Sequence, residues 1–193
     1  RTLAALVDAY RPTAGDTIYV DDGTYRIYRA VILQLQSSGV QIIGPTDTGT
    51  EALHNRGNQH IYIYGFEFRD ASDVLFDDLD VTGAREGLHG EAEGLTISAS
   101  TFFDNLMYGV YLTDSDDLTV TESAFYGTSP GQQGTGLSAE SNNATISNNV
   151  AHDMNGSGIL IYGDNASFTD NEAWHLFGTG LGVTGDDAYF NEN

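Results

Sequence analysis

The sequence predicts an all-β fold: a single-stranded parallel β-helix, a solenoid of about eight coils at ~22 residues each, plugged at its start by a short helix. Three observations carry that prediction. The triplets Gly134-Thr135-Gly136, Gly156-Ser157-Gly158 and Gly178-Thr179-Gly180 recur at steps of 22 residues, each opening a short apolar run. A second motif, Ala144-Thr145-Ile146, Ala166-Ser167-Phe168 and Ala188-Tyr189-Phe190, keeps the same step. The apolar pieces are short, rich in Val, Ile, Phe and Tyr, and broken by Gly, Asn and Asp, which suits strands and excludes a helical repeat. One such repeat cannot bury its own apolar side chains, but stacking at about 4.8 Å per coil buries them in one column.

Taken in chain order, residues 1–12 form the predicted cap, with Leu3, Leu6, Val7 and Tyr10 at helical spacing before Pro12. The stretch from Gly15 to Val20 is the first strand, and Asp22-Gly23 turns the chain into Thr24-Tyr25. Residues 13–193 are then coils of a single domain. Looser copies of the repeat lie at Val74-Leu75-Phe76, Leu95-Thr96-Ile97 with Ser100, and Leu118-Thr119-Val120 with Ser123, so length variation falls in the loops. Three residues after each later motif comes Asn149, Asn171 or Asn193. Amides stacked one coil apart can donate and accept along a column, an asparagine ladder; turn formation alone is the plainer reading. No C-terminal cap is visible, and a bare last coil would offer an unpaired edge. The expectation is a segment of a longer chain, covered by a neighbouring domain or by an end-to-end partner.

Composition excludes several classes. There is no cysteine, so no disulfide framework and no thiolate metal site. No apolar run approaches the ~20 residues of a membrane span. The formal charge is −21, from 28 acids against seven cations, all arginine. Residues 86–193 carry 16 acids and no cation, while 1–85 carry 12 acids and the seven arginines. Such a surface repels the phosphates of nucleic acid and gathers divalent cations.

The helix, the "GDTIYVDDGTYR" stretch and ~22-residue coils with Asn at a bend resemble the right-handed parallel β-helix proteins of the pectate-lyase superfamily, over essentially the whole chain. That resemblance implies right-handed coiling. It implies no single activity, because the group includes lyases, glycoside hydrolases, uronate epimerases, tailspikes and non-catalytic modules of bacterial surface proteins.

The register sorts residues into columns. With Gly87, Gly109, Gly136, Gly158 and Gly180 equivalent, Leu88 and Val110 point inward and His89 and Tyr111 outward. One outward patch then gathers Arg85, Glu86, His89 and Glu91 beside Tyr108 and Tyr111, with Tyr162 further along the Glu91 column. The resemblance implies uronate lyase or C5-epimerase chemistry for it: His89 and Tyr111 as base and acid, Arg85 or a bound Ca²⁺ neutralising the sugar carboxylate, and Glu86 alongside. Alginate epimerases of the superfamily carry Tyr-Gly-Phe-Asp-Pro-His-Glu on a comparable coil; Glu86 to Glu91 keeps its glycine and one apolar residue, with the histidine displaced. The plainer reading is an ordinary polar and aromatic sheet face.

A second column, Phe103, Tyr126, His152 and Trp174, is either an outward aromatic strip for pyranose rings or inward core stacking. Asp114, Asp116 and Asp117 are either a weak calcium site or solvated turn aspartates, since they fit neither the EF-hand pattern nor the Gly-Gly-x-Gly-x-Asp nonapeptide of calcium-loaded β-rolls. Together these readings predict a secreted or cell-surface bacterial module serving as rigid scaffold and polysaccharide-facing surface. The alternatives are a Ca²⁺-assisted lyase or epimerase, and a subunit that stacks end to end.

Overall fold

The computed structural model describes residues 2–45, 51–57, 64–129 and 132–193; Arg1, where the predicted cap begins, lies outside them. A helix, α1, runs over Leu3–Tyr10. The Thr2 hydroxyl accepts from the Ala5 amide at its start, and Arg11 ends it in a left-handed conformation (φ 47°) with its amide bonded to the Val7 carbonyl. Leu3, Ala4 and Val7 are buried against the first coil. Tyr10, expected on the same face, is 71% exposed, because the helix stops there and the chain turns away at Arg11. Among the described residues no helix is long and apolar enough to cross a membrane.

After α1 the described residues form a parallel β-solenoid. Three sheets run along it, all their pairings parallel. Sheet A has eight strands, from Thr17–Tyr19 to Tyr189–Asn191; sheet B has seven, from Gly23–Arg26 to Glu172–Leu176; sheet C has seven, from Val31–Gln34 to Leu181–Thr184. The described residues thus make seven complete coils and the opening strand of an eighth. Strands alternate inward and outward side chains, so like residues stack over like. Phe66, Phe76, Phe102 and Phe125 form one run of ring contacts in the core, with centroids 4.9, 6.0 and 5.5 Å apart in turn. Each such side chain contributes roughly 1.5–3 kcal/mol on burial.

Two columns fix the coil spacing. At the start of sheet C, Gly65, Gly87, Gly109, Gly136 and Gly158 stand in line. A Cβ on Gly65, Gly109 or Gly136 would lie 2.6 Å from the carbonyl oxygen of the next glycine along, so only a residue without one fits. At the bend between sheets A and B, the Asn171 Oδ1 accepts from both the backbone N and the Nδ2 of Asn149, each at 3.0 Å. Asn193 does the same for Asn171, at 3.0 and 2.9 Å. Their Nδ2 groups reach inward to the carbonyls of Val120, Ile146 and Phe168. Ser123 and Ser100 continue the column with hydroxyls that accept from the amides of Ser100 and Leu79. Buried backbone amides that the bend would otherwise orphan are thereby satisfied.

Candidate functional site

Sheet C presents its outer face through the third coil, the strand Glu86–Gly90, flanked by Tyr64–Arg69 below and Tyr108–Leu112 above. Pairing sets Glu86 between Tyr64 and Tyr108, and His89 between Glu67 and Tyr111. The His89 Nδ1 lies 2.6 Å from Glu86 Oε2, and the Glu86 side chain is only 5% exposed. An ionised carboxylate can only accept, so this contact puts the imidazole proton on Nδ1 and leaves Nε2 as the basic nitrogen of the neutral ring. Arg85 approaches the other oxygen, Oε1, at 3.5 Å, and its Nε donates to the Met107 sulfur at 3.0 Å. The His89 ring is held between two tyrosines: Tyr64 at 3.8 Å and 8°, Tyr111 at 5.9 Å and 18°. Tyr108 leans on Tyr111 at 4.8 Å.

The electrostatics follow from packing. Burial, reinforced by the Glu86 charge, pushes the Tyr64 phenol up; burial, then Tyr111 and Glu86, does the same for Tyr108. Both remain protonated donors at neutral pH. Glu91 shares a hydrogen bond with Asp70, and this carboxyl pair raises the Glu91 pKa. The patch thus has a chemical order: a cation, a buried carboxylate, an oriented imidazole and phenolic donors on both sides.

The structure brings Arg85, Glu86, His89, Tyr108 and Tyr111 together and separates the rest. Glu91 lies one outward position further along, beside Asp70. Tyr162, 45% exposed, belongs to the sixth coil, three above His89. Tyr126, His152 and Trp174 are on sheet B, another face of the solenoid. With Phe103 they form an outward ladder: centroids are 5.4, 5.1 and 4.8 Å apart and planes within 8° of parallel. Rings stacked so tightly cover one another's faces and offer edges to solvent, so a pyranose cannot lie on an inner ring. What the ladder presents is a line of polar ring edges, with Asp153 bridging the Nδ1 atoms of His152 and His175 at 2.7 and 3.1 Å.

The acidic bend is tied into its own column. Asp116 Oδ1 accepts from the Asn142 backbone and side-chain amides at 2.8 and 3.0 Å, Asp117 accepts from Asn143 Nδ2 at 3.0 Å, and Asp114 holds a left-handed turn (φ 43°). Among the described residues no three His, Asp or Glu side chains are arranged to hold a metal ion. Sequence reasoning missed Tyr64 and Glu67. Their signal is plain in hindsight: Tyr64-Gly65-Phe66 stands 22 residues before Glu86-Gly87-Leu88, one more copy of the column.

With this geometry in place, the comparison with known families decides the fold's ancestry. Residues 38–193 match the family described as the right-handed β-helix region. The chain belongs to that family. Its coils are therefore right-handed, in keeping with the chirality expected of parallel crossovers. The match is to the β-helix as such and stops short of the pectate-lyase superfamily. No curated protein matches the chain.

Proposed function

We propose that this right-handed β-helix is a rigid module of a secreted or cell-surface bacterial protein, and that the outer face of sheet C contacts polysaccharide. One observation carries the reading: on the outer face of sheet C, the Arg85–Glu86 ion pair and the His89 imidazole form a connected polar group clasped by Tyr64, Tyr108 and Tyr111. Amphipathic rings beside polar groups of both signs suit sugar hydroxyls and a sugar carboxylate. The test is a glycan array followed by titration of the best ligand while the His89 ring resonances are observed by NMR. Binding that shifts His89 and weakens at least tenfold in His89→Ala and Tyr64→Ala is expected. No glycan binding, or binding unaffected by both substitutions, sinks the reading and leaves the scaffold role alone.

A second reading is favoured by the Glu86–His89 contact: a base held in one tautomer by a buried carboxylate is the arrangement proton abstraction requires. On a uronate glycan, His89 Nε2 would take the proton alpha to the carboxylate. The C–H electrons would form the ring double bond, the C4–O4 bond would break, and Tyr111 or Tyr108 would return a proton to the departing oxygen, with Arg85 on the carboxylate. Returning a proton to the opposite face of the same carbon would give epimerisation instead. Incubation with alginate, pectate and glycosaminoglycans, with and without Ca²⁺, separates the readings. Ultraviolet absorbance of an unsaturated product, or inversion seen by NMR, falling ~10²–10⁴-fold in His89→Ala, makes the module an enzyme. Silence on all substrates keeps it a binding surface.

A further inference from the structure

Two buried side-chain atoms among the described residues have no hydrogen-bond partner, His54 Nε2 and Arg56 Nε. Both belong to the second coil, on the sheet B side, near the helical cap. They underlie two cavities, of about 650 and 540 Å³, that share Thr24, Arg26, Ile27 and Tyr28 as a common wall. His54 lines the first, with α1 residues Leu3 and Ala4 on its far side. Arg56 lines the second, with Asn55 and Gly57.

Arg56 is the anomaly. It is 4% exposed, and among the described residues its side chain makes one hydrogen bond, from Nη1 to the Ile27 carbonyl at 2.6 Å. Among the described residues no carboxylate pairs with it, in a chain whose acids outnumber its cations four to one. Burial alone pulls its pKa down to about 10, so the guanidinium is still charged at neutral pH. His54, by contrast, is neutral there, its pKa lowered to about 4 by burial. A buried cation without a counter-ion is costly by several kcal/mol unless something anionic reaches it. Arg26, exposed on the shared wall, stands over the same cavity, and Tyr28, 77% exposed, adds an open ring.

We infer that the cavity between the first two coils, bounded by Arg26, Tyr28, Asn55 and Arg56, binds a small oxyanion, the carboxylate of a sugar acid or an inorganic oxyanion of similar size. The edge of the Arg56 guanidinium not given to the Ile27 carbonyl presents parallel N–H donors to two oxygens at once, and Asn55 and the exposed Arg26 line the same cavity. The volume admits one monosaccharide-sized ligand. The acidic coils elsewhere repel anions, so the N-terminal coils, with their share of the seven arginines, are where one can be held.

The decisive experiment follows the arginine Nε–H resonances of the labelled protein during titration with sodium sulfate, sodium acetate and sodium glucuronate, against sodium chloride at matched ionic strength. Saturable movement of the Arg56 and Arg26 signals with at least one anion, absent with chloride, is expected, with affinity on the order of millimolar for a single-anion site. Sulfate alone would identify an inorganic ligand; glucuronate binding more tightly than acetate would identify a sugar acid. Arg26→Gln, at an exposed position and with its fold checked by circular dichroism, should weaken binding at least tenfold, and Arg56→Gln should abolish it. Shifts no larger than chloride gives, or undiminished affinity in Arg26→Gln, would overturn the assignment and leave Arg56 as a core plug.

Discussion

His54 is where a single residue couples the core to pH. Its ring is fully enclosed, stacked on Tyr25 at 5.3 Å and edge-on to Phe66. Burial lowers its pKa from 6.5 to about 4, outweighing the Nδ1 contact with the Ala52 carbonyl, which acts the other way. The unfolded chain therefore takes up a proton that the folded one refuses. Stability from this residue is full above pH 6.5 and is lost as pH falls toward 4, amounting to about 2–3 kcal/mol by about pH 4.5. Asp78 and Asp80, whose pKa values burial raises, oppose the trend, so the difference between wild type and His54→Leu is the quantity to measure. Denaturation at about pH 7.5 and about pH 4.5 should show that difference moving by 2–3 kcal/mol in favour of the variant at low pH; an unchanged difference would mean that the ring titrates normally. None of this is legible in the sequence. His54 lies in a strand whose neighbours on either side, Tyr25 and Val81, sit 29 and 27 residues away, outside the 22-residue step that sorted the later coils. Tyr64 was legible, since Tyr64-Gly65-Phe66 keeps that step.

At the scale of the element, the bends hold the coils in register as firmly as the strands do. Asn171 accepts two hydrogen bonds from Asn149 and donates to the Ile146 carbonyl, all away from water. Asn171→Ala leaves a buried amide and a buried carbonyl unpaired and should cost about 2–4 kcal/mol. Asn142 also bonds across coils, donating to Asp116 and accepting from the Asp164 amide, but at an exposed bend where water can replace these bonds. Asn142→Ala should cost under about 1 kcal/mol. Urea denaturation of the two variants side by side separates a structural column from mere turn preference; equal losses would show that burial of the ladder contributes nothing. These rungs were visible in the sequence because the Asn residues keep one offset, three residues, from the repeated Ala motif of each later coil. The direction of the aromatic strip was not. In Phe102-Phe103 and Phe125-Tyr126 both alternating positions are aromatic, so period-two patterning cannot say which faces the core; Ala151-His152 and Ala173-Trp174 resolve it by placing the small residue inside.

Across the whole molecule, charge is distributed against the stacking. In a solenoid each coil touches only its neighbours, so stability is close to a sum over coil–coil interfaces. From residue 86 onward those interfaces carry 16 acids and no cation, and some acids stand in one column: the Asp186 amide donates to Asp164, which sits over Asn142 and Asp116. The backbone bonds hold like charges one or two coils apart, well inside the ~30 Å screening length of ~0.01 M salt and comparable with the ~10 Å of ~0.1 M. Repulsion among exposed carboxylates is weak pair by pair, but it repeats at every interface and has no arginine to offset it there. Raising NaCl from ~0.01 to ~0.5 M should stabilise the fold by about 2–3 kcal/mol, a rise in Tm on the order of 5–10 °C. Hydrogen exchange places the effect: amides after residue 86 should gain protection with salt, while those of the arginine-bearing first coils change little. A flat Tm, or protection rising equally at both ends, would mean that the bends already neutralise their own carboxylates through the amides they bind.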